Sequence, residues 1–287
     1  MAVVEYKVPQ SVGEAVEMLT DKTARVLAGG TDLIIQLRAQ NSDPVIAVDI
    51  KKIDSMMTAT MDGNGLTLGP SMSCAELTAR EDIKAEFPGL VEAAYLIGST
   101  QVQGRCSVGG NLCNSSPAAD TIPALSANAA QCVIQGPDGE RTVAVEDFVT
   151  GVGTNCMATG ELLTAIKIAI PAAGTADAYL RFIPRSEMDI AVAGAGVSVT
   201  LDADGKCTAA RVSIGAVATT ALLVTAAADA LIGTSIDDAA LQAAADAASE
   251  ASKPISDRRG TAEFRRHVVG VLTRRAAKIA ADRAKEK

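Results

Sequence analysis

Residues 104–125 read GRCSVGGNLCNSSPAADTIPAL, and no other stretch limits the fold of this chain so strongly. From Ser107 to Ala119 it holds no acidic or basic side chain and is dense in glycine, serine and asparagine. Gly109, Gly110 and Asn111 are three consecutive residues that reach positive φ at low cost. Such a run turns successive N–H groups toward one point and makes an anion-binding nest, with Gly110 at its centre. Asn114, Ser115 and Ser116 add small polar side chains, and Asp120 adds a lone carboxylate. Pro117 and Pro123 suit the first turn of a helix, where a missing N–H costs nothing. The stretch reads as a turn presenting backbone donors and then a helix start, which is a way to hold phosphate. A glycine-rich surface turn has the same composition.

A second stretch, RVLAGGTDLIIQLR at 25–38, repeats the logic. Arg25-Val26-Leu27 is strand-like, Ala28-Gly29-Gly30 is a turn, and Leu33, Ile34 and Leu37 have helical spacing. Thr31 or Asp32 can cap that helix. Asp32 is read as a cap turned away from any ligand, since a carboxylate aimed at phosphate repels it. The spacing matches neither a P-loop nor the G-x-G-x-x-G fingerprint.

AGGTDL followed by SVGGNLCNSSPAAD resembles the FAD-binding medium subunit of the molybdenum hydroxylases, a family that includes the flavin subunits of carbon monoxide, nicotine and xanthine dehydrogenases. The resemblance extends through Gly160-Glu161-Leu162-Leu163-Thr164, through Arg185–Ala191 and into a basic C-terminal helix. It implies an α+β chain: a two-subdomain, PCMH-type FAD-binding fold followed by a C-terminal domain of a three-stranded antiparallel sheet with helices. It also implies a role. Electrons leave an organic substrate at a molybdenum cofactor in a large subunit, pass iron–sulfur clusters in a small subunit, reach FAD here, and go on to an external acceptor such as NAD, oxygen or a quinone. A dimer of such heterotrimers is the implied assembly. The alternative class is a stand-alone FAD-dependent oxidase of the same flavin-binding superfamily. Those chains carry a large additional substrate domain, and many attach FAD through histidine.

Composition agrees with a cofactor holder. There is one histidine, His267, far from both loops, so FAD is expected to be held non-covalently. None of the six cysteines forms C-x-x-C, which excludes a zinc ribbon and leaves no iron–sulfur ligand pattern. Cys106 and Cys113 are read as packing residues. A net charge of −8 disfavours nucleic acid as a partner. No apolar run reaches the about 18 residues of a membrane span, and the N-terminus is neither signal nor transit peptide, so a cytoplasmic location is expected. There is no G-x-S-x-G and no Cys–His pair, hence no catalytic constellation of the chain's own.

In chain order, Tyr6–Pro9, Arg25–Leu27 and Val45–Asp49 read as strands of a small parallel unit over residues 1–55. Ser11 with Glu14 forms a capping box on the intervening helix. Residues 56–171 read as a mainly antiparallel subdomain. Hairpins turn at Gly63-Asn64-Gly65 and at Gly136–Gly139, Ser73 with Glu76 caps a helix, and Leu162–Ile170 is a strand. Pro171–Gly174 is a linker. Residues 175–287 hold three strand-like runs, Tyr179–Pro184, Ala191–Leu201 and Ala209–Val217, and then alanine-rich helices capped at Asp237, Ser256 or Thr261. Arg258, Arg259, Arg265, Arg266, Arg274 and Arg275 make the tail basic, as a solvated face or as a docking surface for an acidic subunit.

On the resemblance and the backbone argument together, Leu27, Ala28, Gly29, Gly30, Thr31, Asp32 and Leu33, with Ser107, Val108, Gly109, Gly110 and Asn111, hold the FAD pyrophosphate. Cys113, Asn114 and Ala119 extend that wall. The resemblance places Asp120 on flavin-side hydroxyls, with a helix cap as its structural alternative, Leu163 near the ring with Leu162 beside it among the cofactor-binding residues, and Arg181 where many members have a flavin-side lysine. An ion pair of Arg181 with Glu187 or Asp189 is the structural alternative. Carbon-monoxide-type members have His-Ser in place of Thr31-Asp32 and an aromatic residue in place of Ile190, which points this chain toward hydroxylases of heterocycles or aldehydes.

Overall fold

A computed structural model describes residues 4–39 and 44–287. At the N-terminus, β1 (Val4–Lys7), β2 (Ala24–Leu27) and β3 (Val45–Asp49) form an all-parallel sheet in the order β1-β3-β2. The edge strand lies two residues earlier than its pattern predicts. The crossover helix Val12–Leu19 buries Ala15, Val16 and Leu19 against Val48, Ile50, Ile53 and Met56. Ser11 Oγ accepts the Glu14 N–H at 3.2 Å, but Glu14 accepts from the Gln10 N–H at 2.7 Å, so the expected box is shifted by one residue.

The middle sheet is antiparallel throughout. It contains β4 (Ala59–Asp62), β5 (Gly65–Leu68), β6 (Gln131–Gly136) and β7 (Gly139–Ala144). A separate short hairpin, β8 (Val149–Gly151) with β9 (Thr154–Asn155), precedes β10 (Leu162–Ala169). The order is β4-β5-β10-β6-β7. β10 is therefore central, and a bulge between Leu163 and Ala165 bends it. Because neighbouring strand residues face opposite sides, Leu162 enters the N-terminal core and Leu163 the middle core. One strand thereby ties two cores together beside the second glycine stretch. The Ser73–Glu76 capping box is complete.

The C-terminal sheet has four strands, where three are expected from sequence. Its order is β11 (Thr175–Phe182), β12 (Ala193–Leu201), β13 (Cys207–Gly215), β14 (Leu222–Leu223), antiparallel throughout. β14 is two residues long and carries no periodicity to read. β11 begins at Thr175 because pairing from Thr175↔Thr200 to Phe182↔Ala193 overrides the weak strand propensity of TADA. Asp237 and Thr261 cap helices Asp238–Ala251 and Ala262–Ala284, as expected, whereas Ser256 bonds the Ala262 N–H from outside the helix. Ala276, Ala277, Ala280, Ala281 and Ala284 line the buried face of the long helix, and their small size lets it lie close on the sheet.

Asp177 on β11 joins this unit to the middle one. Its carboxylate accepts from the Gly89 N–H at 2.9 Å and from Asn128 Nδ2 at 2.6 Å. Burial pushes that carboxyl up to about 6. Arg283 of the last helix donates to the Asp177 carbonyl at 2.8 Å and also pairs with Glu92. Among the described residues, no helix is long and apolar enough to cross a membrane.

Candidate functional site

The two glycine stretches meet. An ideal Cβ on Gly29 would lie 1.9 Å from the Arg105 carbonyl oxygen and 3.1 Å from Cys106 Cα, so the loops touch backbone to backbone. Arg105 Nε returns a bond to the Gly29 carbonyl at 3.4 Å. Gly30 has φ +78°, which favours glycine. Lys51 fixes the start of the loop, donating to the Ala28 carbonyl at 2.8 Å while paired with Asp49 at 2.6 Å. Local sequence gave no sign of Lys51, since the contact spans a crossover.

The second stretch differs from the expected nest. Gly109, Gly110 and Asn111 are the first turn of helix Val108–Asn114, and none has positive φ. Their N–H groups are engaged within the chain: Gly109 with Pro70 O at 3.1 Å, Gly110 with Ser107 Oγ at 3.1 Å, and Asn111 with Ser107 O at 2.9 Å. A Ser at the N-cap makes helix the cheaper conformation for this run. Gly109 is required for packing instead, because a Cβ there would lie 2.3 Å from Pro70 Cβ. Among the described residues, no hydrogen bond within the chain uses the N–H groups of Gly29, Gly30, Thr31 or Asp32. The first loop is therefore the better anion cradle. Pro123 lies in the first turn of helix Thr121–Ala127, as expected, but Pro117 lies in a turn.

Asp32 also departs from expectation. The first helical bond, from the Ile34 N–H to Gly30 O at 3.2 Å, starts the turn at Gly30, which has no side chain to cap with. Asp32 falls inside the first turn, lines the cavity and has no ion-pair partner among the described residues. Partial burial raises its pKa.

Both stretches wall a cavity of about 800 Å³. Of the residues named from sequence, Ala28–Leu33, Ser107, Gly109, Gly110, Asn111, Cys113, Asn114, Ala119, Asp120, Leu162, Leu163 and Arg181 line it. Two do not. Leu27 faces a separate small apolar cavity with Tyr6 and Ile34, and Val108 is buried in the middle core. Cys106 and Cys113, read as packing residues, both reach the wall.

Asp120 and Arg181 form the charged centre. Arg181 Nη1 lies 2.7 Å from Asp120 Oδ2, with side chains 5% and 9% exposed, and Tyr179 OH donates to Oδ1 at 2.9 Å. Asp120 stands at the start of helix Thr121–Ala127 but makes no capping bond. Burial pushes its carboxyl up to about 6, against the pull of Arg181 and Tyr179. The partner of Arg181 is thus neither Glu187 nor Asp189. Asp189 pairs with Arg259 at 2.9 Å, and both line the cavity with Met188 and Ile190. Arg265 of the basic tail is buried, paired with Asp257 at 2.7 Å and bonded to the Val192 carbonyl. Two of the six tail arginines are therefore structural.

The whole chain has relatives. Residues 2–172 match a family model described as the FAD binding domain in molybdopterin dehydrogenase, and residues 178–280 match the CO dehydrogenase flavoprotein C-terminal domain. The carbon monoxide dehydrogenase medium chain of Afipia carboxidovorans is 34% identical, with 98% of each chain covered. The xanthine dehydrogenase FAD-binding subunit of Escherichia coli O157:H7 is 27% identical, over 94% of this chain and 93% of that one. Among solved structures, a Cu,Mo-CO dehydrogenase chain superposes with TM-score 0.93 at 33% identity over 99% of each chain. A chain of quinoline 2-oxidoreductase from Pseudomonas putida 86 superposes with TM-score 0.90 at 26% identity over 98% of each.

Proposed function

We propose, since this chain belongs to the family of FAD-binding medium subunits of molybdenum hydroxylases, that it relays electrons within a larger enzyme. It takes them from iron–sulfur clusters of a small partner subunit, downstream of a molybdenum cofactor in a large one. It passes them to an external acceptor. Its cofactor is FAD, and the residues present suit it. A cavity of about 800 Å³ lies in the size range of built ligand sites. The loop at its floor has unengaged N–H groups beside a glycine that admits no side chain. That junction is the observation that carries the reading.

Bound FAD supplies the redox chemistry. The chain's own residues bind, orient and shield it. The N–H groups of Gly29 to Asp32 would hold the pyrophosphate. Asp120, fixed by Tyr179 and Arg181, would accept from flavin-side hydroxyls, and Leu163 would face the ring. Residues 1–55 and 56–171 act as the two flavin-binding subdomains and 175–287 as the C-terminal domain. The complex works in the cytoplasm as a dimer of heterotrimers, and its organic substrate is chosen in another polypeptide.

Affinity purification of this chain from its native cells tests the assembly. A molybdenum-cofactor chain and an iron–sulfur chain are expected to co-purify, and the chain alone, loaded with FAD, is expected to oxidise no organic substrate. Turnover by the isolated chain would instead establish the stand-alone oxidase.

A further inference from the structure

We propose that Cys74 and Cys106 form a reversible disulfide, with Cys106 as the cysteine attacked by oxidant from the cavity and Cys74 as the one that resolves it. Two helix starts face each other here. Cys74 opens helix Cys74–Thr78 just after its cap Ser73, and Cys106 immediately precedes Ser107, the cap of helix Val108–Asn114. Ser73 and Ser107 form an antiparallel bridge, which sets Cys74 directly opposite Cys106. The Cys74 N–H donates to the Cys106 carbonyl at 2.8 Å. Residues directly opposite each other in an antiparallel pair have Cα atoms roughly 4.5–5.5 Å apart, inside the range of about 4.4–6.8 Å that a disulfide spans without moving the backbone.

The two thiols are not equivalent. Cys74 is fully buried, whereas Cys106 is 6% exposed and lines the cavity. The neighbouring Cys74 side chain holds the Cys106 thiol below its ordinary value, opposed by burial and by the Asp32 carboxylate. The same contact raises Cys74. A cavity-wall thiol whose pKa is lowered from its ordinary value, set beside a second thiol, is the arrangement of reversible redox cysteines. The other four cysteines are also free, and no opposed-strand pairing joins any two of them among the described residues.

The oxidant is a hydroperoxide. The Cys106 thiolate attacks one peroxide oxygen, the O–O bond breaks, and the departing oxygen takes a proton. Cys106 is left as a sulfenic acid. Cys74 sulfur then attacks Cys106 sulfur, the S–O bond breaks, and the hydroxide leaves as water with the Cys74 proton. With hydrogen peroxide, two thiols and one peroxide give one disulfide and two waters. Because the Cys106 backbone abuts Gly29, the bridge would lie directly behind the junction of the two flavin loops.

The test treats the purified chain, FAD retained, with stoichiometric hydrogen peroxide, followed by denaturing alkylation and peptide mapping. The expected result is one pair of peptides joined through Cys74 and Cys106, lighter by two hydrogens, with both residues lost from alkylation and restored by dithiothreitol. In Cys74→Ala, dimedone is expected to label Cys106. If that variant fails to fold, the peptide map of the parent chain decides alone. Cys74 and Cys106 remaining fully alkylatable after peroxide, or a bridge formed at Cys113 or Cys156 in their place, would overturn the proposal.

Discussion

Gly29→Ala is expected to weaken FAD binding sharply while leaving most of the fold standing. The added Cβ would lie 1.9 Å from the Arg105 carbonyl oxygen and 2.6 Å from its carbon. Both are backbone atoms, so no rotamer change relieves the clash and the two loops must part. Overpacking of this kind costs about 1–3 kcal/mol, and each 1.4 kcal/mol withheld from binding is about tenfold in affinity. A fall of roughly ten- to hundredfold in FAD affinity follows. Gly104→Ala, off the cavity wall, is the control. Its Cβ meets only the Gln101 and Thr100 carbonyl oxygens, at 3.7 and 3.9 Å, and its φ of −65° suits alanine. Titration of FAD into the flavin-free variants checks both. Parental affinity in Gly29→Ala would contradict the proposed cradle.

The second large effect is expected from Arg181→Met. Removing one partner of a buried ion pair costs about 3–5 kcal/mol, because the other charge stays buried and uncompensated. Here that charge is Asp120, whose raised carboxyl gives the effect a pH signature. A carboxyl raised in the folded state contributes stability that is complete below its ordinary value and is lost as pH rises through the folded value of about 6. Arg181 and Tyr179 pull that value down, so without Arg181 it climbs further and the loss extends to higher pH. Denaturant midpoints should therefore show a deficit that is small in acid and largest near neutral pH. Arg181→Met combined with Asp120→Asn should recover most of it. A pH-independent deficit under about 1 kcal/mol would place the pair among weak surface-like bridges. The ion pair also changes what Arg181 offers a flavin, since its charge is matched by Asp120 whenever that carboxyl is ionised.

What the sequence made legible was periodic or punctuated. The parallel N-terminal unit, the hairpin around Asn64 and the Ser73–Glu76 box each rest on signals within a few residues. The meeting of the two glycine stretches was expected too, because the resemblance puts both on the FAD pyrophosphate. The conformation of Gly109–Asn111 was not. Glycine permits positive φ without requiring it, and the Ser107 cap together with the Pro70 contact selects helix. The pairs Asp120–Arg181 and Asp189–Arg259 join residues 61 and 70 positions apart, a separation at which composition carries no register. β14 was missed because two leucines have no period.

The most direct test of the central claim is the flavin released when the purified chain is denatured. The account predicts one FAD per chain, recovered intact in the supernatant, with the polypeptide left at its unmodified mass. A chain that yields no flavin, or a flavin that stays attached to the polypeptide, would contradict it.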